Sequence, residues 1–424
     1  MQRLKCISQV YDWGKVGNAS KVYQLQVSSK NPDEFNSERS YAELWMGIHP
    51  SGPSVLWNNH SVSLDAYIRE HPEYLGTPCV NNFGQQLPFL FKVLSVAKAL
   101  SIQAHPDKKL AEKLHADRPD IYKDDNHKPE MAIALTPFEA LIGFRPLVQI
   151  RAFITHLSEL AELTSNPSEV SKEETIRSLY SHLMHSSSEK VEAAINSLVE
   201  KFTQSSGSNL KDIEDVDSSS VVELFLRLNQ QFPGDVGCLS VFFFNYIKMK
   251  PGEAIFLKAN TPHAYLSGDC VECMANSDNV VRAGLTPKFK DVERLLDMLE
   301  YEAPKEPSNL RFSPISPPKT STPVGVKLES FVPPVSEFAV DTIQFDKESR
   351  EFSLPPVPTA SILLLIHGEG VIKTITPGQA ISEEFKFGPG HVYFVPADMK
   401  VNLTSKRSDT HWSLNAFRAY VNLS

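Results

Sequence analysis

The sequence predicts a mainly β protein of jelly-roll or barrel units, with an α-helical domain inserted into the first unit. Three observations predict this. Short apolar runs separated by Gly- and Pro-rich turns fill residues 1–149 and the tail from about Val324. Near Leu147 the apolar spacing becomes helical, and strand character returns at Cys238. A Pro/Ser-rich stretch from Pro304 to Pro323 then separates the two β units.

Residues 1–149 read as the first part of one β unit, with runs such as Phe89-Leu90-Phe91-Lys92-Val93-Leu94 and one short helix near Lys108 to His115. Residues 150–232 read as the inserted helical domain. Its apolar residues recur on one helix face in four sets: Ile150/Phe153/Ile154/Leu157, Ile176/Leu179/Tyr180/Leu183/Met184, Val191/Ala194/Ile195/Leu198/Phe202 and Val221/Leu224/Phe225/Leu228. Between the last two sets, Gln204 to Ser220 is rich in Ser and Asp and reads as a surface loop with little to bury.

Residues 233–303 complete the first β unit. Val241-Phe242-Phe243-Phe244 reads as a core strand, Pro251-Gly252-Glu253 as a turn, and Lys290 to Tyr301 as a helix. Residues 304–323 form the linker and 324–424 a C-terminal jelly roll. There Ile362-Leu363-Leu364-Leu365-Ile366 is a core strand, and Gly368-Glu369-Gly370 and Gly388-Pro389-Gly390 are tight turns.

Composition excludes several function classes. Of 424 residues, 41% are hydrophobic and 22% charged, as in globular proteins with large cores, and the net charge is −9. That sign argues against nucleic acid or an anionic membrane as partner. No stretch approaches the roughly 18 to 20 apolar residues of a membrane span, and no signal peptide is expected. The five cysteines are scattered and odd in number, which fits reduced thiols in the cytoplasm.

Four clusters carry chemistry. In Ser101-Ile102-Gln103-Ala104-His105-Pro106, strand alternation puts Gln103 and His105 on one face. In Asp124-Asp125-Asn126-His127-Lys128-Pro129-Glu130-Met131, a carboxylate precedes the histidine, and the extended residue before proline puts Lys128 and Glu130 on one face and His127 on the other. A third cluster is Thr261-Pro262-His263-Ala264-Tyr265. The fourth runs from Ser267 to Lys288 and holds Cys270-Val271-Glu272-Cys273 and Arg282. In a strand the two cysteines face opposite sides, and no second pair exists to complete a structural zinc site, so they read as core thiols. Each cluster alone also suits a solvated turn or a satisfied strand-end histidine. Together, Gln103, His105, Glu130 and His263 form a nitrogen and oxygen donor set without sulfur. That set suits catalytic zinc, and equally a two-histidine, one-carboxylate iron site.

At these residues the sequence resembles type I phosphomannose isomerases. The stretches Gln103-Ala104-His105-Pro106-Asp107-Lys108, His127-Lys128-Pro129-Glu130, Pro262-His263-Ala264-Tyr265 and Asp278-Asn279-Val280-Val281-Arg282-Ala283-Gly284-Leu285-Thr286-Pro287-Lys288 stand as that family writes them. So do Tyr11-Asp12-Trp13-Gly14 and Ala42-Glu43-Leu44-Trp45-Met46-Gly47. The resemblance runs to about Tyr301 and more loosely to the end.

The resemblance implies cupin-like barrels with the helical domain inserted in the catalytic one. It implies one Zn2+ per chain, held by Gln103, His105, Glu130 and His263. It implies a catalytic Arg282, and a pocket lined by Lys92, Ser101, Lys128, Glu272, Tyr265 and Lys288. The implied reaction interconverts mannose 6-phosphate and fructose 6-phosphate, for mannose use and GDP-mannose synthesis. An enediolate-type proton transfer needs a carrier within reach of both carbons; Glu272 is the candidate and Lys128 the alternative. The expected partner is a small phosphosugar, and the expected state a monomer. The rival readings are a cupin-type iron dioxygenase and a sugar-binding or storage cupin with a structural metal.

Overall fold

The structure is a computed structural model that describes residues 1–29, 35–164, 175–205, 210, 213–304, 310–316, 322–375, 382–406 and 412–423. It is mainly β, as expected. Its central feature is the thirteen-residue strand His263–Ala275. The second half of this strand pairs with Phe89–Val96 on one side and Glu130–Ala134 on the other. Its first half pairs instead with Phe138–Phe144 and touches Ile102–Ala104 at Gln103. The partners change around Gly268, whose φ of +109° and close approach to the Pro137 carbonyl leave no room for a Cβ. One strand thereby serves two walls of the catalytic barrel.

The sheet continues outward from Phe89–Val96 to Glu43–Met46 and Ile7–Gln9. On the other side Glu130–Ala134 pairs with Ala254–Leu257, and that strand with Arg311–Phe312. The last pairing corrects the linker expectation, because part of Pro304–Pro323 is a strand of the catalytic sheet.

The inserted helices are Leu147–His156, Ser158–Thr164, Ile176–His185, Ser188–Ser205 and Ser218–Gln231. Thr175 and Asp217 cap two of them through their side chains. The expected apolar faces of the insertion form one core with Phe144, Phe242, Phe243 and Phe244 of the barrel. Arg227 anchors the last helix to the barrel at Glu139, 2.5 Å away.

Four local expectations need correction. The first part holds three helices besides Lys108–Asp117, namely Lys21–Ser29, Leu64–Glu70 and Thr77–Phe83. Seven to nine residues make barely two turns, too few for a helical period to show. The run from Val241 is not a strand until Phe244; Val236–Phe242 is a 3-10 helix with every residue from Gly237 on buried. A segment buried on all sides has no apolar period to read. The Gln204–Ser220 loop is shorter than expected and does bury side chains. Helices cover both of its ends, and Leu210 and Ile213 sit in the helical core. Finally, the N-terminal strand Gln2–Lys5 does not join the catalytic sheet but pairs with Val392–Val395 of the C-terminal unit.

Among the described residues, five strands of that unit join Gln2–Lys5, Val55–Leu56 and Asn59–Ser63 in an eight-stranded sheet, and a four-stranded sheet completes the unit. Leu363 and Leu365 point into the core between them, while Ile362 and Leu364 pack on the other face against Phe89, Phe91 and Val93 of the catalytic sheet. This sheet is therefore buried on both sides, as its unbroken apolar run Ile362–Ile366 requires.

Candidate metal centre and active-site cleft

Strand register builds the site. His263, Gln103 and Arg282 are direct cross-strand partners in one row, because Gln103 pairs with His263 on one side and with Arg282 on the other. One wall away, Trp45, Lys92, Glu272 and Ala132 form a second row. Glu130 lies two residues before Ala132, so it shares that row's face.

His105, Glu130 and His263 converge, with one donor atom from each lying within 4.8 Å of the others. Nε2 of His105 is 3.4 Å from Oε1 of Glu130, and Nε2 of His263 is 3.4 Å from Oε2. All three residues are buried, and neither Nε2 makes a hydrogen bond. Nδ1 of His105 faces the Asn279 carbonyl at 2.7 Å, and Nδ1 of His263 the Thr261 carbonyl at 2.9 Å. Each ring thus donates through Nδ1 and aims a free lone pair at the same point, as metal-bound histidines do. A separation of 3.4 Å also matches two donors about 2.0–2.1 Å from one tetrahedral ion. Burial holds the pKa of His105 down to about 4, against the pull of Glu130, so the ring is neutral as a ligand must be. His105, Glu130 and His263 form a donor set that fits zinc, and half-buried Gln103 lies in register with His263 beside it.

The centre lies at one side of a cleft of about 1040 Å3, lined by Lys92, Ser101, Gln103, Lys128, Glu130, Tyr265, Glu272, Arg282 and Lys288. The structure therefore brings the candidate metal, catalytic and substrate-binding residues to one cleft, with His105 and His263 buried beside its wall. Nζ of Lys128 sits 3.3 Å from Oε1 of Glu130. His127 points away, as expected, and meets Glu337.

Beyond these, the structure adds Glu43. Nζ of Lys92 is 3.1 Å from Glu272 and 3.8 Å from Glu43, and the Trp45 indole N–H donates to Glu43. Burial disfavours the Lys92 charge, but Glu43, Glu272 and Glu130 outweigh it and hold its pKa above the usual lysine range. Burial pushes the Glu272 carboxyl up, Lys92 opposes, and Glu130 and Glu43 add to the rise. A carboxylate in an otherwise apolar strand was the available signal for Glu43. Asp124 opens the charged cluster before His127, but sequence reasoning gave it no role. It accepts from the Asn279 amide, the Asp278 N–H and the Ser277 hydroxyl, and so fixes the carbonyl that orients His105. Only the fold brings these residues together across about 150 positions.

The comparisons with known proteins agree with this geometry. The catalytic domain of type I phosphomannose isomerase matches residues 1–147, and its helical insertion domain matches residues 151–244. The probable mannose-6-phosphate isomerase of Echinococcus multilocularis is 64% identical over 436 residues, covering 100% of both chains. The chain belongs to the type I phosphomannose isomerase family. Another member, mannose-6-phosphate isomerase of Bos taurus, is 44% identical and covers 94% of each chain. Among solved structures, mannose 6-phosphate isomerase from Salmonella typhimurium bound to fructose 6-phosphate and zinc superposes with a TM-score of 0.79. It is 30% identical over 100% of both chains. The family's helical insertion runs to residue 244 and so takes in the 3-10 helix, beyond the end at 232 read from helical spacing. No helix among the described residues is long and apolar enough to cross a membrane.

Proposed function

We propose that this chain interconverts mannose 6-phosphate and fructose 6-phosphate, with one zinc held by Gln103, His105, Glu130 and His263. The observation that carries the reading is one cleft that combines convergent, unpartnered imidazole nitrogens with a carboxyl group pushed up by burial, Glu272. Support comes from relatives of that name and from the family structure that holds fructose 6-phosphate and zinc.

The reaction moves a proton between C1 and C2 of the opened sugar. Zinc, when bound, supplies positive charge beside the sugar oxygens, where negative charge develops. We assign the proton transfer to Glu272, because its buried carboxyl lines the cleft, and burial raises it above the ordinary carboxylate range, which favours taking and returning a proton. Lys92, 3.1 Å away, orients it. Lys128 remains the alternative, although its ammonium is tied to Glu130. Arg282 keeps its proton and so acts as a donor to developing charge rather than as a base. Ser101, Tyr265 and Lys288 bind the substrate, with Lys288 toward the phosphate.

The proposal extends to a monomer in the cytoplasm that feeds GDP-mannose synthesis. Five free, buried cysteines support a reducing setting. The test is to mix the zinc-loaded chain with mannose 6-phosphate and assay fructose 6-phosphate. Catalytic turnover is expected, and its loss on chelation; zinc-replete protein that forms no product overturns the reading.

A further inference from the structure

The helical insertion ends on a carboxylate that grips the far lip of the cleft. Asp235 follows the last insertion helix, and its side chain is only 13% exposed. Its Oδ1 accepts the backbone N–H of Gly237 at 2.7 Å and that of Leu285 at 2.7 Å. Its Oδ2 accepts the N–H of Thr286 at 3.3 Å. Three main-chain donors from two chain segments thus meet on one side chain. Backbone packing reinforces the contact: a Cβ on Gly284 would fall 2.6 Å from the Gly237 Cα. The two glycines lie back to back, which lets the segments approach closely enough for Asp235 to bridge them.

The gripped turn is a strained one. Leu285 has φ +53°, a left-handed conformation that leucine rarely adopts. Such a residue persists only where its surroundings hold it. The Oδ1 bond to its N–H, the Oδ2 bond to the next N–H and burial of its side chain supply that hold. From there the chain runs through Thr286, whose hydroxyl accepts the Lys288 N–H at 3.1 Å. Asp235, Leu285, Thr286, Pro287 and Lys288 all line the cleft.

We infer that Asp235 is a positioning residue for substrate binding: it fixes the Leu285–Lys288 turn and, through it, the Lys288 ammonium that meets the phosphate. The segment that follows the inserted helices thereby contributes a carboxylate that shapes this side of the cleft. The inference rests on the isomerase reading for the identity of the substrate, but not for the anchoring itself.

The test uses the zinc-loaded full chain. Asp235→Asn keeps one acceptor oxygen but sets an amide N–H against the Thr286 N–H, and Asp235→Ala removes every acceptor. KM for mannose 6-phosphate should rise about threefold in the first and about tenfold in the second, with kcat within about threefold of wild type, on the scale of one or two lost hydrogen bonds. Zinc should stay at the wild-type level in both. In a Lys288→Ala background the same substitutions should change KM by less than about twofold, because the group they position is gone. Calorimetric titration with inorganic phosphate gives a readout independent of turnover, and its Kd should weaken in the same order. Unchanged KM and phosphate Kd in both variants overturn the inference, as do effects that multiply undiminished with Lys288→Ala, which mark a purely structural role. If Asp235→Ala does not fold, Asp235→Asn alone decides by the same criteria. A wild-type chain that binds phosphate with the expected dependence on Asp235 and Lys288, but leaves mannose 6-phosphate unchanged, sinks the isomerase reading and leaves the anchoring standing.

Discussion

Nε2 of His127 lies 2.6 Å from Oε1 of Glu337, tying the segment that carries Lys128 and Glu130 to the C-terminal unit. The alternation that turns Lys128 and Glu130 toward the cleft turns His127 the other way, so one short extended segment serves both the metal centre and the contact between units.

This pair predicts an acid response. Burial alone raises the Glu337 carboxyl, but the bond and charge of His127 outweigh it, so the folded pKa lies below 4.5. A lowered carboxylate contributes stability that is fully present above pH 4.5 and is lost as pH falls through the folded value. The urea midpoint of wild type should therefore drop more steeply below pH 4.5 than that of Glu337→Gln. Equal slopes contradict the assignment.

The C-terminal unit holds a buried ion pair whose removal should be asymmetric. Arg418 and Asp341 are 5% and 2% exposed, Nε of Arg418 is 3.0 Å from Oδ2 of Asp341, and Ser330 and Tyr420 also donate to this carboxylate. Arg418→Met should cost about 3–5 kcal/mol by leaving a buried charge unpaired, and Arg418→Met/Asp341→Leu distinctly less. Denaturant unfolding of Arg418→Met, Asp341→Leu and the double variant checks this; a double variant as unstable as the sum of the two singles contradicts it.

Arg282 should act on the rate more than on binding. Because it lies in register with Gln103, its guanidinium is proposed to meet charge that develops in the transition state. Arg282→Ala should lower kcat roughly 100- to 1000-fold, about 3 to 4 kcal/mol, with zinc and melting temperature nearly kept. Arg282→Lys should rescue poorly, since lysine lacks the planar fork. A raised KM with kcat kept would mark Arg282 as a phosphate ligand instead.

His105, Glu130 and His263 were picked out through the family resemblance, and local pattern supports only part of that set. Gln103 and His105 alternate on a strand, and Pro129 holds Lys128 and Glu130 extended. What was not legible depends on pairing between distant strands. Nothing near Lys92 announces that Glu272, 180 residues away, is its register partner, or that Glu43 closes the cluster. The N-terminal strand crossing to Val392–Val395 is hidden for the same reason, since strand pattern gives a face but not a partner. Leu210 and Ile213 were missed because two apolar residues in a Ser- and Asp-rich stretch make no period. Leu210→Ala should cost about 2–5 kcal/mol, a loss that a solvated loop position would not show.

The central claim is that one zinc, held by His105, Glu130, His263 and Gln103, makes this cleft a mannose 6-phosphate isomerase. The most direct measurement is turnover of mannose 6-phosphate to fructose 6-phosphate as zinc is titrated into chelator-stripped protein. Activity should rise in proportion to zinc and level off at one ion per chain, with His263→Ala failing at both retention and turnover. Full activity in the metal-free chain, or in metal-free His263→Ala, would contradict it.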